Sequence, residues 1–239
     1  MREAGGRLQD KVILVTGAYG GLGREASLAC AREGATVVLL GRKVPQLNRL
    51  HDAIVAEGGE AVLYPMDLEG ATPDDHAELA VRLDEAFGKL DGILHCAAHF
   101  KGLTPLELTD PADVARAMHV NLTAPVWLTM ACLPLLRRAA DASVVVVIDA
   151  PERTSRAYWG GYGLAQAGRA ALVPMLDGEI GEGHVRVVGL EPGPMRTPLR
   201  AKAYLNDRDP NARPPADHAD ACVDALAGGP RGVTRNLAA

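Results

Sequence analysis

Short runs of apolar residues, many of them β-branched, alternate with longer amphipathic stretches along most of the chain of 239 residues. Several runs are apolar at consecutive positions, a pattern typical of parallel strands that are covered on both faces. The predicted strands are Val12–Thr16, Thr36–Leu40, Ala61–Pro65, Gly92–Cys96, Ser143–Asp149 and Val185–Leu190. The alternation predicts a single α/β domain over 1–239, with a doubly wound parallel sheet of about six to seven strands and helices on both faces.

The amphipathic stretches between the strands predict five helices, of which the fourth is long enough to be interrupted by its prolines. They are Gly23–Glu33, Val44–Glu57, Pro73–Phe87, Pro111–Ala139 and Tyr162–Gly178. The segment 194–217 departs from this rhythm with five prolines and mixed charge. We expect it to form a long loop or short helices on the substrate side of a ligand crevice. The alternative is a mobile connection without function.

Composition and charge narrow the range of partners. The net charge is -5 and the basic residues are scattered, so there is no electrostatic footprint for nucleic acid or an anionic membrane. The four cysteines lack the spacing of a disulfide framework or a metal site, and we expect buried thiols. The first ten residues contain no apolar signal core. We therefore expect a cytoplasmic protein that acts on small molecules.

A glycine-rich turn follows the first predicted strand directly and opens a helix. Residues 16–24 read Thr-Gly-Ala-Tyr-Gly-Gly-Leu-Gly-Arg. Glycines permit close approach of the backbone, and a helix N-terminus offers unpaired N–H groups and partial positive charge to a pyrophosphate. A glycine turn without a ligand is the alternative, but the position between strand and helix favours a dinucleotide site. The expected contacts are Gly17, Tyr19, Gly20, Gly21, Leu22 and Gly23.

The residues after the second strand favour one nicotinamide cofactor over the other. Residues 39–43 read Leu-Leu-Gly-Arg-Lys, without the acidic residue that usually binds the ribose 2′-hydroxyl of NAD. A guanidinium can pair with a 2′-phosphate through two hydrogen bonds, so the sequence predicts NADP(H) rather than NAD(H), bound at Arg42. Arg24 is either a second contact or a solvated charge. Asp67, followed by Leu68, either accepts a hydrogen bond from the adenine amino group or caps the next turn.

The order and spacing of these elements resemble the short-chain dehydrogenase/reductase family over nearly the whole chain. Its Thr-Gly-x-x-x-Gly-x-Gly motif is matched from Thr16 to Gly23. The chain is most similar to the bacterial YciK-type oxidoreductases, which share Leu-His-x-Ala at 94–97 and Trp-Gly-x-Tyr at 159–162. The resemblance implies a Rossmann-type fold, a carbonyl or alcohol substrate and a homodimer or homotetramer. It also implies cofactor contacts at Ala97, Tyr162, Gln166, Pro192, Gly193 and Thr197.

The family's catalytic tetrad of Asn, Ser, Tyr and Lys is degenerate in this chain. By the resemblance, Asn121 and Tyr162 are retained, Asp149 stands at the serine site and Gln166 at the lysine site. A neutral Gln166 does not provide the field that favours phenolate, and an ionised Asp149 disfavours phenolate further. Gln166 can still hydrogen-bond a ribose hydroxyl, and a protonated Asp149 can donate a hydrogen bond as serine does.

Two functions remain open at this point. The first is an NADP(H)-dependent carbonyl reductase with an atypical or impaired active site, because reduction needs only a proton donor and a neutral tyrosine can donate. The second is an inactive pseudoenzyme that serves as a cofactor-binding or protein-interaction scaffold. His95 and His99 are alternative acid/base groups, but a histidine at a strand end is more often simply hydrogen-bonded.

Overall fold

Seven parallel strands form one sheet in the computed structural model, which describes residues 5–181 and 183–235. The strands are β1 Val12–Thr16, β2 Thr36–Gly41, β3 Glu60–Pro65, β4 Gly92–His95, β5 Ala142–Val147, β6 Val185–Glu191 and β7 Gly232–Arg235. Their spatial order is β3-β2-β1-β4-β5-β6-β7, so the direction of winding reverses between β1 and β4. The predicted doubly wound fold is confirmed, and the reversal predicts a ligand crevice beyond the carboxyl ends of these two strands.

Helices cover both faces of this sheet. They are α1 Gly21–Arg32, α2 Val44–Ala56, α3 Pro73–Phe87, α4 Pro111–Met118, α5 Ala124–Leu136, α6 Pro151–Thr154, α7 Gly160–Ile180, α8 Pro198–Ala201 and α9 Ala219–Ala227. Alternate residues of a strand point to opposite faces, and Ile13 and Val15 pack in one core cluster while Val12 and Leu14 pack in the other. Burial on both faces explains why the strand sequences are apolar at consecutive positions.

The predicted helix Pro111–Ala139 does not break at its prolines. It continues from α4 into α5 through five residues of π-helix, His119–Thr123, and Pro125 lies in the first turn of α5, where a missing N–H is tolerated. The stretch Pro111–Leu136 has the length and composition of a membrane span, as core helices of soluble proteins also do, and half of its most apolar window is buried in the fold.

The proline-rich segment 194–217 folds back along the crevice. Thr197 caps α8 by accepting a hydrogen bond from the N–H of Arg200 at 3.1 Å, and Pro198 occupies the first position of that helix. A β-bridge between Met195 and Arg213 joins the two ends of the segment. The prolines therefore produce short helices and a closed loop instead of a regular element.

Candidate active site

A cavity of about 550 Å³ lies at the carboxyl ends of the central strands. Its walls include most of the residues that the sequence predicted for the site. Those residues are Gly17, Tyr19, Gly20, Gly21, Leu22, Gly23, Arg42, Asp67, Leu68, Ala97, Asp149, Tyr162, Gln166, Pro192, Gly193 and Thr197. The fold thus brings together residues that lie as far apart in sequence as the first and sixth strands.

The glycine turn presents bare backbone to the cavity. The N-cap of α1, Gly20, makes no side-chain capping bond, and no acidic residue occupies the first turn of the helix. Gly17 has a φ of +65°, and a Cβ atom there would lie 2.8 Å from Cα of Ala97. A Cβ atom on Gly21 would lie 2.7 Å from Cγ2 of Thr197. A side chain would therefore clash at Gly17 and at Gly21, and the uncapped N–H groups of the turn suit a pyrophosphate.

The adenosine end of the cavity combines a guanidinium with two carboxylates. Arg42 Nη1 lies 3.6 Å from Oδ2 of Asp67 and 3.7 Å from Oε2 of Glu69, and half of the Arg42 side chain is exposed. Oδ1 of Asp67 accepts a hydrogen bond from the Glu69 N–H at 3.1 Å, so Asp67 caps the turn, while its contact with adenine stays a prediction. Arg24 pairs with Glu25 and is not among the residues that line the cavity.

At the other end of the cavity, Tyr162 belongs to a four-membered hydrogen-bond network. Its hydroxyl donates to Oδ2 of Asp149 at 3.1 Å, and Oδ1 of the same carboxylate is paired with Nη2 of Arg153. Oε1 of Gln166 accepts from the Asp149 N–H at 3.0 Å, and the Gln166 amide also hydrogen-bonds the Tyr162 hydroxyl. Sequence reasoning missed Arg153, although its position four residues after Asp149 was the available signal.

The ionisation of Tyr162 reflects burial more than charge. Its side chain is buried, and burial raises the pKa of Tyr162 above the ordinary value of 10.0. The positive charges of Arg169 and Arg153 and the hydrogen bond from Gln166 act in the opposite direction and only limit that rise. From the sequence, an ionised Asp149 is expected to disfavour phenolate as a like charge, and in the structure the Arg153 guanidinium is paired with that carboxylate. Near neutral pH, Tyr162 is a protonated phenol and hence a proton donor.

Asn121 is held in the π-helical turn and does not line the cavity. Its Oδ1 accepts from the His99 N–H at 2.7 Å, and its Nδ2 donates to the His99 carbonyl at 2.8 Å, so the side chain fixes the loop after β4. Its main-chain oxygen accepts from Nε of Arg169. The resemblance to the family implies that Asn121 supports a proton-relay water, and that role stays a prediction.

His95, the last residue of β4, and His99, in the loop that follows, differ in their surroundings. Nε2 of His95 lies 2.9 Å from Oγ1 of Thr129, and burial lowers the pKa of His95 to about 3. His95 is therefore a neutral, hydrogen-bonded core residue, which is the alternative to a role as an acid/base group. His99 lines the cavity, and burial lowers its pKa as well.

An aromatic wall, formed by Phe100, Trp159 and Tyr204, lies next to Tyr162. The rings of Phe100 and Trp159 stack with centroids 5.2 Å apart, and Phe100 lies 5.0 Å from the ring of Tyr162. Trp159 lies 6.5 Å from Tyr204, which the segment 194–217 contributes. This cluster gives the Tyr162 end of the cavity an aromatic side.

Comparison with known proteins identifies the chain as a member of the short chain dehydrogenase family, whose model matches residues 11–208. The predicted resemblance is confirmed: the chain belongs to a family of oxidoreductases whose members bind nicotinamide cofactors and act on small molecules. It is 35% identical to the uncharacterized oxidoreductase YciK of Escherichia coli K12 over 211 residues, which cover 88% of this chain and 83% of that protein.

Two solved structures show the same similarity. A chain from Pseudomonas syringae, described as a short chain dehydrogenase, is 37% identical with a TM-score of 0.90, over 97% of this chain and 96% of that one. Another from Shigella flexneri 2a, described as a short chain dehydrogenase complexed with NADP, is 32% identical with a TM-score of 0.91, over 97% of this chain and 98% of that one. These two similarities extend beyond the stretch that the family model matches.

Proposed function

We propose that this protein reduces small carbonyl compounds with NADPH and that Tyr162 is the proton donor. The observation that carries the proposal is the charge-balanced network of Tyr162, Asp149 and Arg153 on the wall of the cavity. Because Arg153 compensates the carboxylate, Asp149 does not place a free negative charge where the carbonyl oxygen must bind. An aspartate stands where the family has serine, yet the Tyr162 hydroxyl remains as a proton donor and the Arg153 guanidinium as a positive charge beside it.

The residues of the cavity fit a dinucleotide. The uncapped N-terminus of α1 suits the pyrophosphate, and Arg42 with Lys43 suits a 2′-phosphate. Ala97, Pro192 and Gly193 also line the cavity. The NADP complex of the Shigella relative supports the same cofactor. We therefore extend the proposal to a preference for NADP(H) over NAD(H).

In the proposed reaction, NADPH supplies a hydride to the carbonyl carbon, and Tyr162 gives its hydroxyl proton to the carbonyl oxygen. The Tyr162 hydroxyl first exchanges its hydrogen bond to Asp149 for one to the substrate. The phenolate that remains keeps the hydrogen bond from Gln166, and a proton from solvent restores the phenol. The raised pKa of Tyr162 favours this direction, since oxidation of an alcohol would require the phenolate as a base.

The cofactor preference is tested by titrating the cofactor-free protein with NADPH and with NADH, followed by calorimetry. We expect NADPH to bind at least about tenfold more tightly, because one charge-assisted pair contributes more than about 1.4 kcal/mol. Arg42→Gln should remove most of that difference without weakening NADH. The control is Arg49→Gln, which removes an exposed arginine of α2 that does not line the cavity. Equal affinities in the natural chain would contradict the preference.

The proton donor is tested by NADPH oxidation in the presence of a panel of ketones, quinones and aldehydes. Tyr162→Phe should lower kcat by about a hundredfold or more while NADPH still binds, since general acid catalysis contributes about that factor. Reduction at the natural rate by the Phe variant would assign the proton to another group.

The pseudoenzyme is the second candidate, and one observation favours it. The Tyr162 hydroxyl and the Gln166 amide already bond within the network, so neither is free to meet a ligand without rearrangement. This candidate predicts that the natural chain binds NADPH but reduces no carbonyl in the panel. It also predicts that Asp149→Ser combined with Gln166→Lys creates activity. Reduction by the natural chain would reject it.

A further inference from the structure

One side chain near Tyr162 breaks the usual rule for buried charge. Arg169 is 1% exposed, and within residues 5–181 and 183–235 its hydrogen bonds go to main-chain carbonyls and no carboxylate forms an ion pair with it. Arginine is almost never fully buried unless it is paired, because removing an ion from water is costly. Such a residue calls for a reason beyond packing.

Three carbonyls hold the Arg169 guanidinium in place. Nη1 donates to Val147 at 2.7 Å, Nη2 donates to Ala97 at 2.8 Å, and Nε donates to Asn121. Pro125 has no N–H to give to the carbonyl four residues earlier, which is that of Asn121, so this oxygen is left for Arg169. Carbonyl dipoles orient and partly solvate a cation, but they do not cancel its charge.

The titratable groups that face Arg169 do not cancel its charge either. Burial raises the pKa of Cys96 to about 12 and lowers the pKa of His95 to about 3, so both groups are neutral over the working range. The remaining group is Tyr162, whose nearest carboxylate, Asp149, is already balanced by Arg153. An uncompensated positive charge is therefore fixed beside the phenol.

We propose that Arg169 supplies the positive charge of this active site, in place of the cation that Gln166 lacks. It follows Tyr162 by seven residues and Gln166 by three, so all three lie on one face of α7. The charge stabilises the phenolate that Tyr162 becomes after it gives its proton to the substrate. The inference rests on the proposed function, and Arg169 is a positioning residue because it acts through Tyr162.

The test follows the ionisation of Tyr162 directly and needs no substrate. The chain is labelled with [13Cζ]tyrosine, the Tyr162 signal is assigned by its loss in Tyr162→Phe, and its titration is recorded by NMR. Arg169→Gln removes the charge but keeps an amide donor, whereas Arg169→Lys keeps the charge. The matched control is Arg186→Gln, which removes a partly buried arginine paired with Asp141 near the amino end of β6, away from the cavity.

We expect Arg169→Gln to raise the Tyr162 midpoint by about one pH unit or more, and Arg186→Gln to leave it unchanged. Gln166→Lys, added to Arg169→Gln, should return the midpoint toward that of the natural chain. Equal midpoints in the natural chain and Arg169→Gln would overturn the inference. If the natural chain reduces no carbonyl, the proposed reaction fails, but this titration still decides the role of Arg169.

Arg169→Lys provides a second test of the charge if Arg169→Gln does not fold. An amine cannot reach all three carbonyls, so a purely structural brace is broken by lysine, whereas a charge is retained. We expect the Lys variant to keep the Tyr162 midpoint within about half a pH unit of the natural value. It should also keep kcat for a ketone of the panel within about threefold, which is a small change in barrier. A displaced midpoint with intact NADPH binding would overturn the inference.

Discussion

At the scale of single residues, the compensated carboxylate of Asp149 decides what Tyr162 can do. A lone carboxylate would accept the phenol proton in a strong hydrogen bond and repel a carbonyl oxygen. Arg153 forms an ion pair with Oδ1 of Asp149, and the Tyr162 hydroxyl donates a hydrogen bond to Oδ2, so both residues bind the same carboxylate. On the proposed function, this pairing lets an aspartate occupy the position that the resemblance assigns to serine without leaving a free negative charge beside the carbonyl oxygen.

The charge balance between Arg153 and Asp149 can be tested by comparing a single variant with a double variant. Arg153→Gln should lower kcat for carbonyl reduction by about tenfold to a hundredfold, because it leaves Asp149 uncompensated, a change of about 1.4 to 3 kcal/mol. Asp149→Asn added to Arg153→Gln removes the stranded charge and should recover most of the loss. The measurement is NADPH oxidation at saturating cofactor. A double variant no better than Arg153→Gln would show that Arg153 acts otherwise than through Asp149.

Much of the site, including Arg42, was predicted from sequence, but the two guanidiniums near Tyr162, those of Arg153 and Arg169, were not. The resemblance implies that Asp149, Tyr162 and Gln166 share one site, and hydrogen bonds join them in the structure. Arg153 lies in a four-residue helix, α6, and long side chains reach in directions that sequence does not encode. Arg169 is found only once Asn121, Ala97 and Val147 are placed around it. The sequence shows that these residues are arginines, but only the folded structure shows whether each guanidinium is exposed or buried.

At the scale of elements, strands and helices with strong periodicity are predicted nearly to the residue. The predicted bounds of β1 and α3 agree with the structure. The predicted fifth strand runs to Asp149, whereas β5 ends at Val147, because the chain must turn before Pro151 starts α6. The short elements β7, α6, α8 and α9 were not among the predicted ranges, since four to nine residues carry too little periodic signal.

The end of β4 makes stability depend on pH through His95. Its pKa is about 3 in the folded protein, against the ordinary 6.5. Above pH 6.5 both states are neutral at this residue and its contribution is fully present. As the pH falls below 6.5, His95 becomes protonated in the unfolded chain but stays neutral in the folded chain. The free energy of unfolding therefore decreases until the pH reaches about 3.

We expect this effect to reduce the free energy of unfolding by about 2 kcal/mol between pH 7.5 and 5. Urea unfolding of the natural chain and of His95→Asn measures it, because the variant lacks the titrating ring and should lose about 2 kcal/mol less over the same interval. His184→Gln, at an exposed position, is the control and should follow the natural chain. An equal pH dependence in His95→Asn would mean that His95 does not resist protonation.

At the scale of the whole molecule, two helices carry apolar side chains that the fold leaves uncovered. Met130 of α5 is 66% exposed, and Leu164 and Met175 of α7 are 59% and 62% exposed. Leu164 and Met175 are separated by eleven residues, which is close to three helical turns, so they share one face of α7. Members of the family are commonly oligomeric, and we predict that these helices meet a second copy in a homodimer or homotetramer.

Leu164→Glu tests this surface, since it places a charge where apolar contact would form. If α7 pairs with another copy, burying that charge should weaken association by about a hundredfold or more, which corresponds to about 2.8 kcal/mol. Light scattering over a concentration series then shows a smaller particle at micromolar protein. Val81→Glu makes the same change at a comparably exposed valine of α3, 56% exposed, and should leave the mass unaltered. If both variants keep the mass of the natural chain, α7 is not the interface; if both lose it, exposure alone does not identify the contact.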